Sequence, residues 1–169
     1  MRVTSDGIEG GRIADRFGNR GTQFAPDGMP NYSLPVRIED APAGTISFAL
    51  FLEDPDAIPV CGFSWIHWTV ACLTRPTLEE NESIHARDFV QGTNSRSGRL
   101  GGMSRMGAAC YGGMSPPDRP HEYILHAYAL DILPDLADGF YWNELLRAMR
   151  GHVLAEASVY GIYENGGAR

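Results

Sequence analysis

The chain has 169 residues, of which 43 % are hydrophobic and 21 % are charged, a composition typical of one ordinary globular domain over residues 1–169. The formal net charge of −7 argues against a nucleic-acid partner, which would need a basic face. All 14 basic residues are arginine, and a chain without lysine cannot use Schiff-base chemistry, a Walker-type phosphate lysine or a Ser–Lys dyad.

The apolar segments and the cysteines of the sequence indicate the compartment to expect. No apolar run approaches the roughly 18 residues that a transmembrane helix needs, so no integral membrane segment is expected. The first seven residues contain no apolar stretch typical of a secretory signal, and a cytoplasmic location is the default expectation. The cysteines Cys61, Cys72 and Cys110 are too few and too scattered for a disulfide framework, and we expect buried free thiols.

The first clear element follows a stretch of short strands and turns. Residues 1–44 are rich in Gly, Pro, Asp and Asn, which favours turns. Residues 45–54 then alternate, with apolar side chains at every second position from Ile46 to Leu52, as in a strand with one buried face. Asp54 continues that face into an Asp-Pro turn, so it either caps the turn or places a carboxylate at the rim of the core.

A second strand and a long loop come next. Residues 63–73 are apolar on both faces, as expected for a strand covered on both sides, and His67 lies in its middle. Residues 91–120 form an irregular stretch rich in glycine, and loops of this length are often functional lids or binding loops. We interpret its arginines as solvated; they include Arg96, Arg99 and Arg105.

The remaining elements complete a mainly β chain. Residues 121–130 predict a strand that carries His121 and Tyr123 on one face and His126 on the other. Helical spacing over 142–150 predicts a helix ended by Gly151. A short second helix over 153–157 and a last strand over 158–163 are expected. The predicted fold is an antiparallel β-sandwich with a few peripheral and C-terminal helices.

Three separated segments carry a family resemblance. They are D-P-D-A-I-P at 54–59, W-I-H-W at 65–68 and Y-G-G-M-S-P-P-D-R-P-H-E-Y at 111–123. In this order they resemble the phosphatidylethanolamine-binding protein family, in particular its bacterial Raf kinase inhibitor-like branch. The likeness extends to V-Q-G-T-N-S at 90–95 and G-I-Y at 161–163.

The resemblance implies two antiparallel sheets with a small pocket at one end. Matched to the motifs, the pocket side chains are Asp54, His67 and His121, with Tyr123 and the backbone of residues 113–115 (Gly113 to Ser115) nearby. Two departures from the family pattern affect the expected shape of this loop and the expected size of the ligand. Met114 replaces the proline after Y-G-G, and Glu122 replaces the arginine of H-R-Y.

Such a pocket suits a small anion. Two imidazoles can donate N–H groups to one oxyanion, and a nearby carboxylate favours their charged forms. Glycine-rich backbone can bring its own N–H groups close to phosphate oxygens. We therefore expect a non-enzymatic binding or regulatory protein for a phosphate-type head group, such as phosphorylethanolamine, or for a phosphorylated partner, with no cofactor. The resemblance also implies a homodimer and relatives that inhibit kinases or a serine carboxypeptidase.

Two enzymatic alternatives remain open at this point. Two histidines and one aspartate match the ligand set of a facial-triad metal enzyme, although the local spacings that strengthen such a prediction are missing. A hydrolase would need a Ser or Cys activated by histidine, and Cys110 is the thiol nearest the third motif. We assign no role to the other histidines, His85, His126 and His152.

Overall fold

Two sheets build the computed structural model, which describes residues 1–85 and 87–166. Ten strands occur in these residues: β1 (Arg2–Thr4), β2 (Ile8–Glu9), β3 (Arg12–Ile13), β4 (Val36–Glu39), β5 (Ser47–Asp54), β6 (Trp65–Leu73), β7 (Thr77–Leu78), β8 (Val90–Gly92), β9 (His121–Leu130) and β10 (Val153–Tyr163). Two α-helices are described, α1 (Ile58–Cys61) and α2 (Trp142–Ala148), with single 3-10 turns at Asp15–Phe17, Pro55–Ala57, Glu82–Ile84 and Ser95–Ser97.

The smaller sheet is β1–β4–β7, and the larger one runs in the order β2–β3–β10–β9–β5–β6–β8. Neighbouring strands are antiparallel except for β10 and β3, which are parallel. The main core lies between the two sheets, where Ile38 of the small sheet joins Leu50, Trp68 and Leu125 of the large one in one buried cluster. The prediction of a mainly β fold with peripheral helices is confirmed, with one mixed sheet in place of a purely antiparallel one.

Strand β5 is buried on both faces rather than on one. Its six residues from Ser47 to Leu52 are all buried, because the second face is covered by the segment that contains α2. Phe51 stacks on Trp142 of that helix, with ring centroids 4.0 Å apart. Ile46, which the alternation placed on the buried face, precedes the strand and is 55 % exposed.

The predicted helix over 153–157 is wrong. These residues open β10, whose pairing with β9 continues from Ala155 opposite Ala129 to Tyr163 opposite His121. Alternate residues of this segment are half-buried, and Ala155 and Ala157 among them pack against the main core. Pairing with a central strand therefore outweighs the helix propensity of this Leu-Ala-Glu-Ala segment.

The helix predicted over 142–150 is present but ends at Ala148. Gly151 follows with a φ of +81°, the left-handed conformation that glycine adopts without strain, and it turns the chain into β10. No helix in the described part of the chain has the length and apolar character needed to cross a membrane.

Candidate functional site

A cavity of about 220 Å³ opens at one edge of the large sheet. Asp54 ends β5, while His67 and His121 lie near the beginnings of β6 and β9. Because β5 is antiparallel to both neighbours, its end and their beginnings meet at the same edge. The wall comprises Asp54, Ala57, Val60, Cys61, Trp65, His67, Asn94, Arg96, Gly112, Gly113, Ser115, Pro117, His121 and Tyr123. All six predicted site residues are therefore brought together around one cavity.

Asp54 performs both of the roles that its sequence position suggested. Its Oδ1 accepts the backbone N–H of Ala57 at 3.1 Å and so caps the 3-10 turn that begins at Pro55. Its Oδ2 lies 2.7 Å from Nδ1 of His121. The side chain is 5 % exposed, so the turn fixes a buried carboxylate against the imidazole.

His121 is held between two carboxylates. Besides the bond to Asp54, its Nε2 lies 2.9 Å from Oδ1 of Asp118, and the imidazole has no exposed surface. Burial is the strongest influence on the pKa of His121 and lowers it, but the hydrogen bonds to Asp54 and Asp118 together raise it above the ordinary 6.5. Since carboxylates only accept hydrogen bonds, both ring nitrogens carry protons and the ring is an imidazolium. The expectation that this ring donates freely to a ligand is therefore not met while Asp118 stays in place.

His67 has the opposite character. Its Nδ1 lies 2.6 Å from the carbonyl oxygen of Gly112, which can only accept, so the proton is on Nδ1 and Nε2 is left as an acceptor. Burial, aided by the positive charge of Arg96, lowers the pKa of His67 despite the bonds and charges that favour protonation. The ring is neutral near pH 7 and packs edge-on against Tyr123, with centroids 5.1 Å apart.

The glycine backbone near the cavity is already used inside the protein. The N–H of Gly112 donates to the carbonyl of His67 at 2.8 Å, and that of Gly113 donates to Pro30 at 2.7 Å. A Cβ on Gly113 would lie 2.7 Å from the carbonyl oxygen of Phe17, so this position needs glycine for close packing. The expectation that the Gly113 amide faces a phosphate is wrong in this structure. Ser115, the other predicted contact, is exposed in the cavity wall.

Tyr123 contributes to the cavity wall a buried hydroxyl without a well-shaped hydrogen bond. Its side chain is 1 % exposed, and its hydroxyl forms no well-shaped hydrogen bond with any of residues 1–85 and 87–166. Burial first, and then the charge and the accepting oxygen of the neighbouring Asp54 carboxylate, raise the pKa of Tyr123, while the nearby backbone of Ser115 opposes this effect. The hydroxyl is thus close to these polar groups, but none of them forms a well-shaped hydrogen bond with it. A buried hydroxyl without a partner is costly, and in a cavity wall it indicates a place for a ligand atom or a water.

Sequence reasoning missed two charged groups at this site. Arg96 was interpreted as a solvated loop residue, but its side chain is only 33 % exposed and it lines the cavity. Asp118 was not singled out at all. By contrast, Arg105 is turned away from the cavity, where it donates to the carbonyl of Gly139 at 2.5 Å and stacks over Tyr141. Loop arginines of similar sequence context therefore have different roles.

The two enzymatic alternatives gain no support from this geometry. No group of three or more His, Cys, Asp or Glu side chains within the described residues could hold a metal ion. Burial raises the pKa of Cys110 to about 11, which keeps the thiol protonated and unreactive near neutral pH. Cys61, Cys72 and Cys110 are free, as expected, but are half-buried rather than buried.

The comparisons with known proteins agree with the motifs. The family model for phosphatidylethanolamine-binding proteins matches residues 3–164. The chain belongs to this family. The protein YxkA of Bacillus subtilis is 43 % identical over 141 residues, which cover 81 % of this chain and 84 % of YxkA. A relative from Chlamydia muridarum, a UPF0098 protein, is 35 % identical and covers 97 % of this chain and 99 % of its own.

Solved structures of the same family share the fold. The phosphatidylethanolamine-binding protein homologue CT736 of Chlamydia trachomatis has a TM-score of 0.78 at 31 % identity, covering 97 % of both chains. YbcL of Escherichia coli has a TM-score of 0.74 at 27 % identity, covering 96 % of this chain and 97 % of its own. The family prediction is confirmed, and membership of the family supports a binding-type function in general.

Proposed function

We propose that this protein is a binding or regulatory protein that holds a phosphate-type head group in the cavity lined by His67, His121 and Tyr123. The observation that carries the proposal is the hydroxyl of Tyr123, which is buried in the cavity wall without a well-shaped hydrogen bond. The ring of His67, whose Nε2 is an acceptor, packs edge-on against the Tyr123 ring and lines the same cavity. The volume of about 220 Å³ suits a head group better than a drug-sized molecule, for which pockets start at about 300 Å³.

Arg96 is the residue of the cavity wall that would attract a negative group. The positive charge of His121 is already balanced by Asp54 and Asp118, whereas the guanidinium of Arg96 lies 4.0 Å from the carboxylate of Asp27, at the limit of an ion pair. The family's name refers to phosphatidylethanolamine, whose head group joins a phosphate to an ammonium. The carboxylate of Asp54 could accept from such an ammonium, so one site would satisfy both charges.

The neutral state of His67 determines which form of phosphate binds. Nε2 of His67 is an acceptor, so a phosphate monoester that still carries one proton can donate its P–O–H to this nitrogen. The hydroxyl of Tyr123 then donates to a second phosphate oxygen. Because phosphate monoesters lose that proton with a pKa of about 6, affinity should fall as the pH rises from 6 to 8.

The test is calorimetric titration with inorganic phosphate and with phosphorylethanolamine at pH 6.5. Removing the hydroxyl in Tyr123→Phe should weaken binding about 10- to 100-fold, the effect of one lost hydrogen bond to a charged group. The fold should lose little stability, because the hydroxyl forms no well-shaped hydrogen bond with the residues that the structure describes. Tyr128→Phe, on the opposite face of β9, is the matched control and should bind like the wild type.

Two results would contradict the proposal in different ways. Absence of heat with the wild type at millimolar phosphorylethanolamine would remove the head-group site itself. Equal affinities of the wild type and Tyr123→Phe would show that a ligand binds without using this hydroxyl.

A further inference from the structure

The second carboxylate on His121 distinguishes this cavity from a simple open anion site. Nε2 of His121 would be the natural donor to a ligand oxyanion, yet the carboxylate of Asp118 already lies 2.9 Å from it. The side chain of Asp118 is 52 % exposed, whereas its imidazole partner is fully buried. A carboxylate reaching in from the surface thus occupies the position that an anionic ligand would take on this ring.

We infer that Asp118 is an intramolecular competitor for the ligand, and that an anion gains Nε2 of His121 only by displacing the Asp118 carboxylate. This inference rests on the proposed function and concerns which anions the site accepts. Weak monoanions such as acetate or chloride should not displace a carboxylate that is tethered to the same chain, whereas a phosphate group, which carries more charge and more acceptor oxygens, should.

Besides its bond to His121, the Asp118 carboxylate interacts with the neighbouring backbone of residues 118 and 119, and no distant element has to move when the side chain leaves. Apart from His121, its charged neighbour is Arg119, and the nearest N–O distance to that guanidinium is 3.9 Å. Arg119 is instead held by Asp56 at 3.0 Å, and Asp56 also accepts the backbone N–H of Glu122 at 3.0 Å. The loop is therefore anchored through Asp56.

The backbone beside Asp118 is also restrained. Pro116 and Pro117 precede it and Pro120 follows it, and each proline restricts its own φ. Rotation of the Asp118 side chain into solvent, rather than movement of the loop, is then the way in which Nε2 of His121 is released. Such a rotation exchanges one partly exposed ion pair for a bond to the ligand.

The first arm of the test does not depend on phosphate binding. Ring signals of His121 are titrated by NMR in the wild type, in Asp118→Ala and in Asp118→Asn. Loss of the carboxylate should lower the pKa of His121, because Asp54 on β5 then remains as the carboxylate bonded to the ring and Asp56 is already paired with Arg119. Sodium acetate added to Asp118→Ala should restore part of that pKa, since the free carboxylate can take the vacated position.

The second arm measures affinity for inorganic phosphate by calorimetry. Asp118→Ala should bind phosphate about 2- to 5-fold more tightly than the wild type, the effect expected for removing one partly exposed competing ion pair. Asp131→Ala is the matched control, because it removes an exposed carboxylate that lies 2.9 Å from another histidine, His152. It should leave phosphate affinity unchanged.

The outcomes separate this inference from the proposed function. An unchanged His121 pKa in Asp118→Ala would overturn the inference whatever phosphate does. A lowered pKa with equal phosphate affinity in both proteins would also overturn it, while leaving the proposed site standing. If phosphate binds to neither protein, the proposed function fails, and the competition fails with it.

Discussion

Strand β9 carries two histidines on opposite faces, and their surroundings differ in one decisive respect. His121 faces the cavity between the carboxylates of Asp54 and Asp118 and has no exposed surface. His126 lies on the outer face, 23 % exposed, with Nε2 3.1 Å from Glu53 and Nδ1 2.8 Å from the hydroxyl of Ser158.

The difference lies in the second partner. A carboxylate can only accept, so two carboxylates require that both nitrogens of His121 carry protons. A hydroxyl can donate, so Ser158 can give its proton to Nδ1 of His126 while Nε2 donates to Glu53, and a neutral ring satisfies both contacts. Strand β9 therefore holds a charged imidazolium on its cavity face, and on its outer face a histidine whose contacts do not require the ring to be charged.

We expect the largest difference in stability between the two faces when the carboxylate next to each histidine is removed. Asp54→Ala leaves the buried Nδ1 of His121 without its carboxylate partner, although Asp118 remains on Nε2, and it leaves the N–H of Ala57 without its cap. The free energy of unfolding should fall by about 3 kcal/mol. Glu53→Ala, on the half-exposed outer face, should cost at most about 1 kcal/mol.

Urea unfolding at pH 7 compares these two variants directly. Similar losses for Asp54→Ala and Glu53→Ala would show that burial does not distinguish the two faces. A deuterium-exchange measurement at the amide of Ala57 would report separately on the lost cap, because that N–H donates to Asp54 in the wild type.

The contrast between the faces also shows how far sequence could predict the fold. Strands β5, β6 and β9 have long apolar runs and occupy the middle of the large sheet, so pattern and burial agree and each was predicted. The first half of β10 was not, because its local propensity is helical and only its pairing with β9 makes it a strand. Strands of two residues, such as β2 and β7, are too short to show any period.

For the site, the sequence predicted the residues on strands, and the third motif predicted Gly113 and Ser115, but Asp118 and Arg96 were missed. Asp54, His67, His121 and Tyr123 end or lie within strands, and strand periodicity together with the family motifs placed them around one cavity. Arg96 lines the cavity and Asp118 bonds to His121 three residues further along, but both lie in segments without a strand or helix period, so no hydrophobic pattern indicated either contact. The Gly113 amide was misassigned because its partner, Pro30, lies far away in the sequence.

A smaller effect on the outer face is expected from the pH dependence of stability. The hydrogen bond from His126 is the strongest influence on the pKa of Glu53 and lowers it below its ordinary 4.5. Burial opposes this effect, and the hydrogen bond from Ser64 adds to it. A depressed carboxyl pKa contributes stability that is present above 4.5 and is lost as the pH falls through the lower folded value.

His126→Gln removes the main cause of that shift. The variant should be less stable than the wild type by about 0.5 to 1 kcal/mol near pH 7, a value that allows for the partial exposure of this pair. The difference should shrink as the pH is lowered from 5 to 3, which urea titrations at a series of pH values would follow. A difference that stays constant down to pH 3 would mean that His126 stabilises the fold through packing rather than through Glu53.

The smallest effect is expected at Ser158, the exposed end of the outer chain of hydrogen bonds. Water can replace this hydroxyl as the donor to Nδ1 of His126, so Ser158→Ala should change the free energy of unfolding by less than about 0.5 kcal/mol. Phosphate affinity should also be unchanged, because Ser158 is paired opposite His126 and lies on the other face of the sheet from the cavity. A loss of 1 kcal/mol or more, or any change in phosphate affinity, would show that the two faces of β9 are energetically coupled. It would contradict the view that His121 on the cavity face and the His126–Ser158 contact on the outer face act independently.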